Sequence, residues 1–202
     1  MCTAYQLGRR KAGINPKRAT PDAVKKMDRI SGEVGLLRPT LSAPVLDIRG
    51  ELEVMRWGFQ RSFSNAVVNA REDKLEGGMW KEAMETKRCL IPVSAYFEWS
   101  GPRGNKRTHR FTHVEEEWLW VAGIWEDHPE LGKCFSMITT HPTGVVRGVH
   151  DRMPAVLSAD EVDGFLNGSI WNFQPADGLL EVRDAVNPLT GKTPGPVQQE
   201  LF

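Results

Sequence analysis

Long hydrophobic runs are missing from this chain of 202 residues. No segment reaches the ~20 apolar residues of a membrane span, and no apolar leader follows the first charges, so neither a transmembrane helix nor a secretory signal is expected. Cysteine is scarce: Cys2, Cys89 and Cys134 form no C-x-x-C pair and leave an odd thiol in any disulfide scheme. A reducing cytoplasm is the expected setting. The same cysteines, taken with His109, His113 and His128, match no zinc spacing, so no metal and no cofactor is expected. Net charge is absent too, with 26 basic residues against 26 acidic ones. Any affinity for nucleic acid must then come from local charge. There is no Gly-x-Gly-x-x-Gly, no P-loop, no regular βαβ alternation and no internal repeat, which argues against a doubly wound nucleotide-binding fold.

What is present is mostly strand-like. Glu51 to Phe59, Ala66 to Arg71, Cys89 to Val93, Ala95 to Trp99, Trp118 to Trp125 and Phe135 to Thr140 carry strand composition. The turn Gly101 to Gly104 joins Trp99 and Phe111 as a hairpin. Gly58, between Trp57 and Phe59, marks a bulge or a close backbone approach. Residues 35–50, with Pro39 and Pro44, read as extended or looped chain. Thr20-Pro21-Asp22 starts a helix that Gly32 stops. A short helix spans roughly Trp80 to Lys87. Ser158 to Glu161 is a capping box, opening a helix that Gly168 ends. The expected fold is α+β: one domain over residues 1–186, a curved, mainly antiparallel β-sheet or open barrel flanked by short helices, with a loosely ordered tail over 187–202.

Cys2 draws attention first. Freed of Met1, it would be an amino-terminal 1,2-aminothiol, with an amine titrating near ~7.7–8.0 and a thiol near ~8.5. Such a pair condenses with an aldehyde to an imine and then closes to a five-membered thiazolidine. Glu98 lies among Tyr96, Phe97 and Trp99, and a carboxylate does not enter apolar surroundings cheaply. It is either paired with a cation or raised in pKa, and a raised carboxyl suits a general acid near neutrality. His150-Asp151-Arg152 suits proton transfer, or is a surface loop with an ion pair. Asn69 and Arg71 are a capping amide and a surface cation when taken alone; together at a strand end they could orient a substrate hydroxyl and hold a phosphate. Arg9, Arg10, Lys11, Lys17, Arg18, Lys25, Lys26 and Arg29 form a basic stretch, and seven tryptophans could include stacking platforms for bases.

The order of these segments carries more than any one of them. Met-Cys at the start is followed by Arg56-Trp57-Gly58-Phe59, Asn69-Ala70-Arg71-Glu72 and Arg88-Cys89-Leu90-Ile91-Pro92. Tyr96-Phe97-Glu98-Trp99, Ala122-Gly123-Ile124-Trp125, Met137-Ile138-Thr139-Thr140 and His150-Asp151-Arg152-Met153-Pro154 complete it. Across residues 2–157 this strongly resembles the SOS-response-associated peptidase (SRAP) family. The resemblance implies a sensor of abasic sites in single-stranded DNA that shields the lesion through a covalent thiazolidine, with autoproteolytic exposure of its cysteine. It implies Cys2 as nucleophile, Asn69 positioning the amino terminus and sugar, Glu98 shuttling protons, and His150 assisting ring opening and crosslink reversal. It further implies that Arg71 and Arg152 bind phosphate, that Trp57 lines the DNA channel, and that Pro39, Thr40, Thr139 and Thr140 approach the DNA. The expected partner is single-stranded DNA bearing abasic sites, bound by a monomer that is cytoplasmic and nucleoid-associated when on DNA. Thr3-Ala4 replaces the family's usual glycine-arginine, and Trp-Gly-Phe its commoner Trp-Gly-Leu. Two other readings fit a Met-Cys start: an N-terminal-nucleophile cysteine hydrolase (amidotransferase or peptidase) and a single-strand-binding module that does not crosslink.

Overall fold

The computed structural model describes residues 2–8, 15–30, 35–115, 117–170, 173 and 177–191. In chain order the elements begin β1 (Tyr5–Leu7), α1 (Pro21–Ile30), β2 (Gly35–Leu37), β3 (Ser42–Asp47), β4 (Leu52–Trp57), β5 (Phe59–Arg61), β6 (Ser64–Val67) and β7 (Asn69–Arg71). The middle of the chain gives α2 (Lys81–Thr86), β8 (Arg88–Val93), β9 (Ala95–Ser100), β10 (Arg107–His113), β11 (Leu119–His128) and β12 (Gly132–Thr140). It finishes with β13 (Met153–Pro154), β14 (Val156–Leu157), α3 (Ala159–Asn167) and β15 (Leu180–Ala185).

Two sheets carry the molecule. The smaller is antiparallel throughout, in the order β15-β10-β9-β1-β2. In the larger, β12 pairs with both β4 and β11, so β12, β4, β3, β8 and β11 close on themselves as a five-stranded barrel. β7 and β13 attach to β12, and β14 to β11. The expectation of a curved, mainly antiparallel sheet flanked by short helices holds, and the curvature runs as far as closure.

The unbroken apolar run of β8 follows from burial on both faces. Cys89, Ile91 and Val93 join Val121 and Phe135 in a core shared with Cys2, Tyr5, Trp57 and Tyr96. Leu90, Trp120, Ala122 and Ile124 face the other way, into a core built with Ala23 and Met27 of α1, Met84 of α2 and Phe165 of α3. The first helix begins, and α3 both begins and ends, as the sequence predicts. Thr20 Oγ1 accepts the Ala23 amide at 3.2 Å. Ser158 and Glu161 form the reciprocal capping box, and Gly168 closes α3 in the left-handed region at φ 84°.

Residues 35–50 are more regular than expected, resolving into β2 and β3 around a turn. Gly58 is a close approach as read: at φ +112° an added Cβ would lie 2.7 Å from the Ala66 Cβ. Gly32, the cations at positions 9–11 and the tail beyond residue 191 lie outside the described residues. Among the described residues no helix is long and apolar enough to cross a membrane.

Candidate active site

The first strand brings Cys2 to the seam between the two sheets. Tyr5 pairs with Tyr96 and Gln6 with Ala95 across β1 and β9. The Phe97 amide donates to the Ala4 carbonyl at 3.1 Å, and the Ser94 amide to the Gln6 carbonyl at 2.8 Å. Cys2 itself is fully buried, its thiol turned back to the Ala4 carbonyl at 3.5 Å. Burial, reinforced by the nearby Glu98 carboxylate, raises that thiol well above the ordinary range, so at neutral pH it holds its proton.

Asn69 reaches Cys2 from the barrel side. β7 runs parallel to β12, with Asn69 beside Met137 and Arg71 beside Thr139, and Asn69 Nδ2 donates to the Cys2 carbonyl at 2.9 Å. Glu98 approaches from β9. It is 1% exposed, and loss of solvent raises its carboxyl from 4.5 to about 7. The aromatic setting in the sequence thus becomes a carboxyl that gives and takes protons near neutrality.

His150 completes the group. Its Nε2 stands 3.8 Å from Glu98 Oε2. Its Nδ1 lies 3.0 Å from the Arg152 amide, a donor, and 2.8 Å from Asp151 Oδ1, an acceptor, so Nδ1 has a partner in either tautomer. Burial holds the imidazole below its ordinary pKa, which keeps it neutral at pH 7. Cys2, Asn69, Glu98 and His150, far apart in sequence, therefore meet at one place. Exposed Lys106, after the β9 turn, acts electrostatically on both Glu98 and His150.

The residues expected to face DNA divide. Arg71 is half exposed, gripped at both ends by Asp73 at 2.9 and 2.8 Å. Thr40 is exposed beside half-buried Pro39 and is the one non-glycine residue at positive φ among the described residues, at 74°. Its amide is tied to the Trp57 carbonyl at 2.8 Å. Arg152, Thr139, Thr140 and Trp57 are buried. Arg152 donates to the Thr139 carbonyl at 2.5 Å and stands 3.9 Å from Glu72 and 3.8 Å from Asp73. Thr140 Oγ1 donates to Glu72 at 2.7 Å. Trp57 has no exposed face for a base to stack on; its Nε1 donates to the Val68 carbonyl at 3.2 Å, and Tyr5 packs edge-on against it.

Sequence reasoning missed Glu72 and Asp73, the acids that organise both arginines. Their signal was their position directly after Asn69-Ala70-Arg71. A cleft of about 410 Å³ beside Trp118, Trp120, Val162 and Leu179 contains none of the site residues.

With this geometry in hand, comparison with known proteins is informative. The model of the family described as SOS response associated peptidase (SRAP) matches residues 1–189. The abasic site processing protein YoqW of Bacillus subtilis is 27% identical over 136 residues, covering 64% of this chain and 60% of that protein. The abasic site processing protein YMR114C of Saccharomyces cerevisiae is 31% identical over 117 residues, 52% of this chain and 32% of that one. The abasic site processing protein HMCES of Xenopus tropicalis is 26% identical over 143 residues, 54% and 43% of the two chains. The matches thus span less than two thirds of these relatives' lengths. Among solved structures, a protein from Bacteroides thetaiotaomicron superposes with a TM-score of 0.74 at 23% identity, covering 99% of this chain and 100% of its own. One from Bordetella bronchiseptica gives 0.70 at 19%, covering 91% and 99%. Both share the fold.

Proposed function

Because the chain belongs to the SOS response associated peptidase (SRAP) family, we propose that it processes abasic sites in single-stranded DNA, joining the lesion covalently to Cys2. The observation that carries this reading is the meeting of four groups: Asn69 Nδ2 on the Cys2 carbonyl at 2.9 Å, and His150 Nε2 at 3.8 Å from buried Glu98. The names of the curated relatives support the substrate.

The chemistry needs an amine, a thiol and a proton shuttle, and no redox partner. Release of Met1, by the chain itself or by an aminopeptidase, turns the Cys2 nitrogen into a free amine. The abasic sugar is mostly a closed hemiacetal. A carboxyl titrating at about 7 can protonate the ring oxygen while neutral His150 accepts the hydroxyl proton, and the aldehyde opens. His150 returns its proton to Glu98, the amine attacks the aldehyde carbon, and the carbonyl electron pair moves to oxygen; the two amine protons pass to that oxygen through Glu98, so water leaves as the C=N bond forms. The thiol then adds to the imine carbon, forming the S–C bond, and the C=N pair returns to nitrogen, which takes the thiol proton. Aldehyde plus aminothiol gives thiazolidine plus water, in balance. Asn69 fixes the Cys2 carbonyl so that amine and thiol approach one carbon together. An abasic nucleotide has no base to read, so Arg71 and Lys106 supply phosphate affinity.

The test is direct. Protein confirmed by intact mass to begin at Cys2 is incubated with single-stranded DNA bearing one abasic site and run on a denaturing gel. A slow-migrating species that Cys2→Ala abolishes is expected; its absence from the wild-type lane would sink the proposal.

A further inference from the structure

The chain has two tyrosines, and both stand next to Cys2. Tyr5 and Tyr96 lie directly opposite each other across β1 and β9, so their side chains share one face. Glu98, two residues beyond Tyr96, lies on that same face. Tyr5 is pinned edge-on against Trp57 with centroids 4.9 Å apart, and Tyr96 is stacked on Phe111 at 4.8 Å. Both rings are completely buried in the core that contains Cys2. Yet neither hydroxyl has a hydrogen-bond partner among the described residues. Two buried, unpaired donors side by side are unusual, since buried polar groups are normally satisfied. Their rings are fixed by packing while their polar ends are left with nothing to hold.

The reaction supplies what they lack. During ring closure the Cys2 thiol gives up its proton in a site that strongly disfavours a thiolate. Charge develops on sulfur exactly where water is excluded, and fixed donors there act with most effect. We propose that Tyr5 and Tyr96 are positioning residues for the second step, their hydroxyls donating to the Cys2 sulfur as it loses its proton and attacks the imine carbon. The proton goes to the Glu98 carboxylate and from there to the ring nitrogen; neither tyrosine loses its own. Burial raises both phenols well above their ordinary range, and the Cys2 sulfur adds to that rise in each, so both remain O–H donors at working pH. In the resting protein the thiol faces the Ala4 carbonyl instead, which leaves the hydroxyls waiting for the thiolate.

This inference rests on the aminothiol chemistry proposed above, and the experiment keeps the two apart. Tyr5→Phe, Tyr96→Phe and the double variant retain both rings and remove only oxygen, and a melting curve checks that each is folded. Mature proteins react with abasic single-stranded DNA, and samples are quenched with and without borohydride, which captures the imine but not the closed ring. Each Phe variant should slow conversion of imine to borohydride-independent adduct by about tenfold, the usual weight of a hydrogen bond to a charged group, with imine formation changed far less. The double variant should accumulate the imine. A parallel arm replaces DNA with formaldehyde, with ring closure read by intact mass. Slower closure there supports the tyrosine role even if wild type forms no DNA adduct, an outcome that would defeat only the DNA reading. Closure at the wild-type rate in all variants, in both arms, overturns the inference, and so does an equal fall in both steps.

Discussion

Glu98 concentrates the chemistry at the residue scale because water has been taken from it. Its carboxyl is raised from 4.5 to about 7 by burial, so the folded protein binds a proton there that the unfolded chain has released. Stability is therefore drawn down as pH rises through this window, and the full cost, roughly 3 kcal/mol for a shift of this size, is reached above pH 7. Glu98→Gln carries no such cost. Its melting temperature should exceed wild type at pH 8 and converge with it as pH falls towards 4.5; a constant difference across pH would show that burial is not the cause. The same variant should slow crosslinking far more than it weakens DNA binding, measured by gel and by fluorescence anisotropy. Asp73 makes a different prediction. It holds the Arg71 guanidinium with two hydrogen bonds, and Arg71 in turn lowers the Asp73 carboxyl to about 2, so the ion pair persists across the working pH range. A phosphate must compete with that carboxylate. Asp73→Asn should tighten binding to undamaged single-stranded DNA severalfold and steepen its salt dependence by about one phosphate contact; weaker binding would mean that Asp73 braces Arg71 rather than competing for it. Glu98 was legible because three aromatic neighbours announced a dry site. The burial of Arg152, Thr139 and Thr140 was not, because a charged or hydroxyl side chain looks the same in sequence whether it meets water or an acid such as Glu72 at the end of a neighbouring strand.

At the scale of elements, the segment from Trp57 to Arg71 converts strand geometry into site geometry. β4 ends at Trp57, Gly58 turns the chain at φ +112°, the β5–β6 hairpin follows, and β7 delivers Asn69 and Arg71 alongside β12. Gly58 donates its amide to the Phe135 carbonyl at 2.7 Å, tying the turn to the barrel. A methyl group there would meet the Ala66 Cβ at 2.7 Å, in a backbone conformation that costs an L-residue about 1–3 kcal/mol before the clash is counted. Gly58→Ala should lower the melting temperature by roughly 5–10 °C. Because the turn sets the path to Asn69, crosslinking should fall even where the variant remains folded; a variant with wild-type stability and rate would show that the turn is adaptable. The glycine between two aromatics gave this turn away in the sequence. β3 and β15 were harder to see. Pro44 argues against a strand, yet it is tolerated because β8 pairs with β3 only at Leu46 and Asp47, leaving Pro44 with one neighbouring strand. β15 alternates Leu180 and Val182 with charged residues and pairs only with β10, and an edge strand needs little apolar character to form.

On the scale of the whole molecule, the reactive end of the chain is what joins the two sheets. β1 is a strand of the smaller sheet, held between β9 and β2, while the Cys2 carbonyl just ahead of it is held by Asn69 from the strand beside the barrel. Under the proposed function, the amino-terminal segment is both an element of the fold and the reagent. Under that proposal Cys2, which has no exposed surface, would be reached by local opening of the three-residue strand β1. Asn69→Ala removes one hydrogen bond, worth about 1 kcal/mol, from a link that contributes little to the barrel itself. The barrel amides of β8 and β11 should therefore exchange with solvent at wild-type rates in this variant. The amides that pin β1, Phe97 and Ser94 among them, should exchange faster by roughly fivefold, the amount that 1 kcal/mol of local opening predicts. Thiazolidine formation should fall by more than that factor, because a loosened Cys2 loses alignment of amine and thiol as well as anchorage. Unchanged exchange at Phe97 with lost crosslinking would place Asn69 on the sugar alone. Faster exchange spread evenly over both sheets would make it a structural residue of the entire fold, and the amino-terminal strand could then no longer be treated as a separately opening unit.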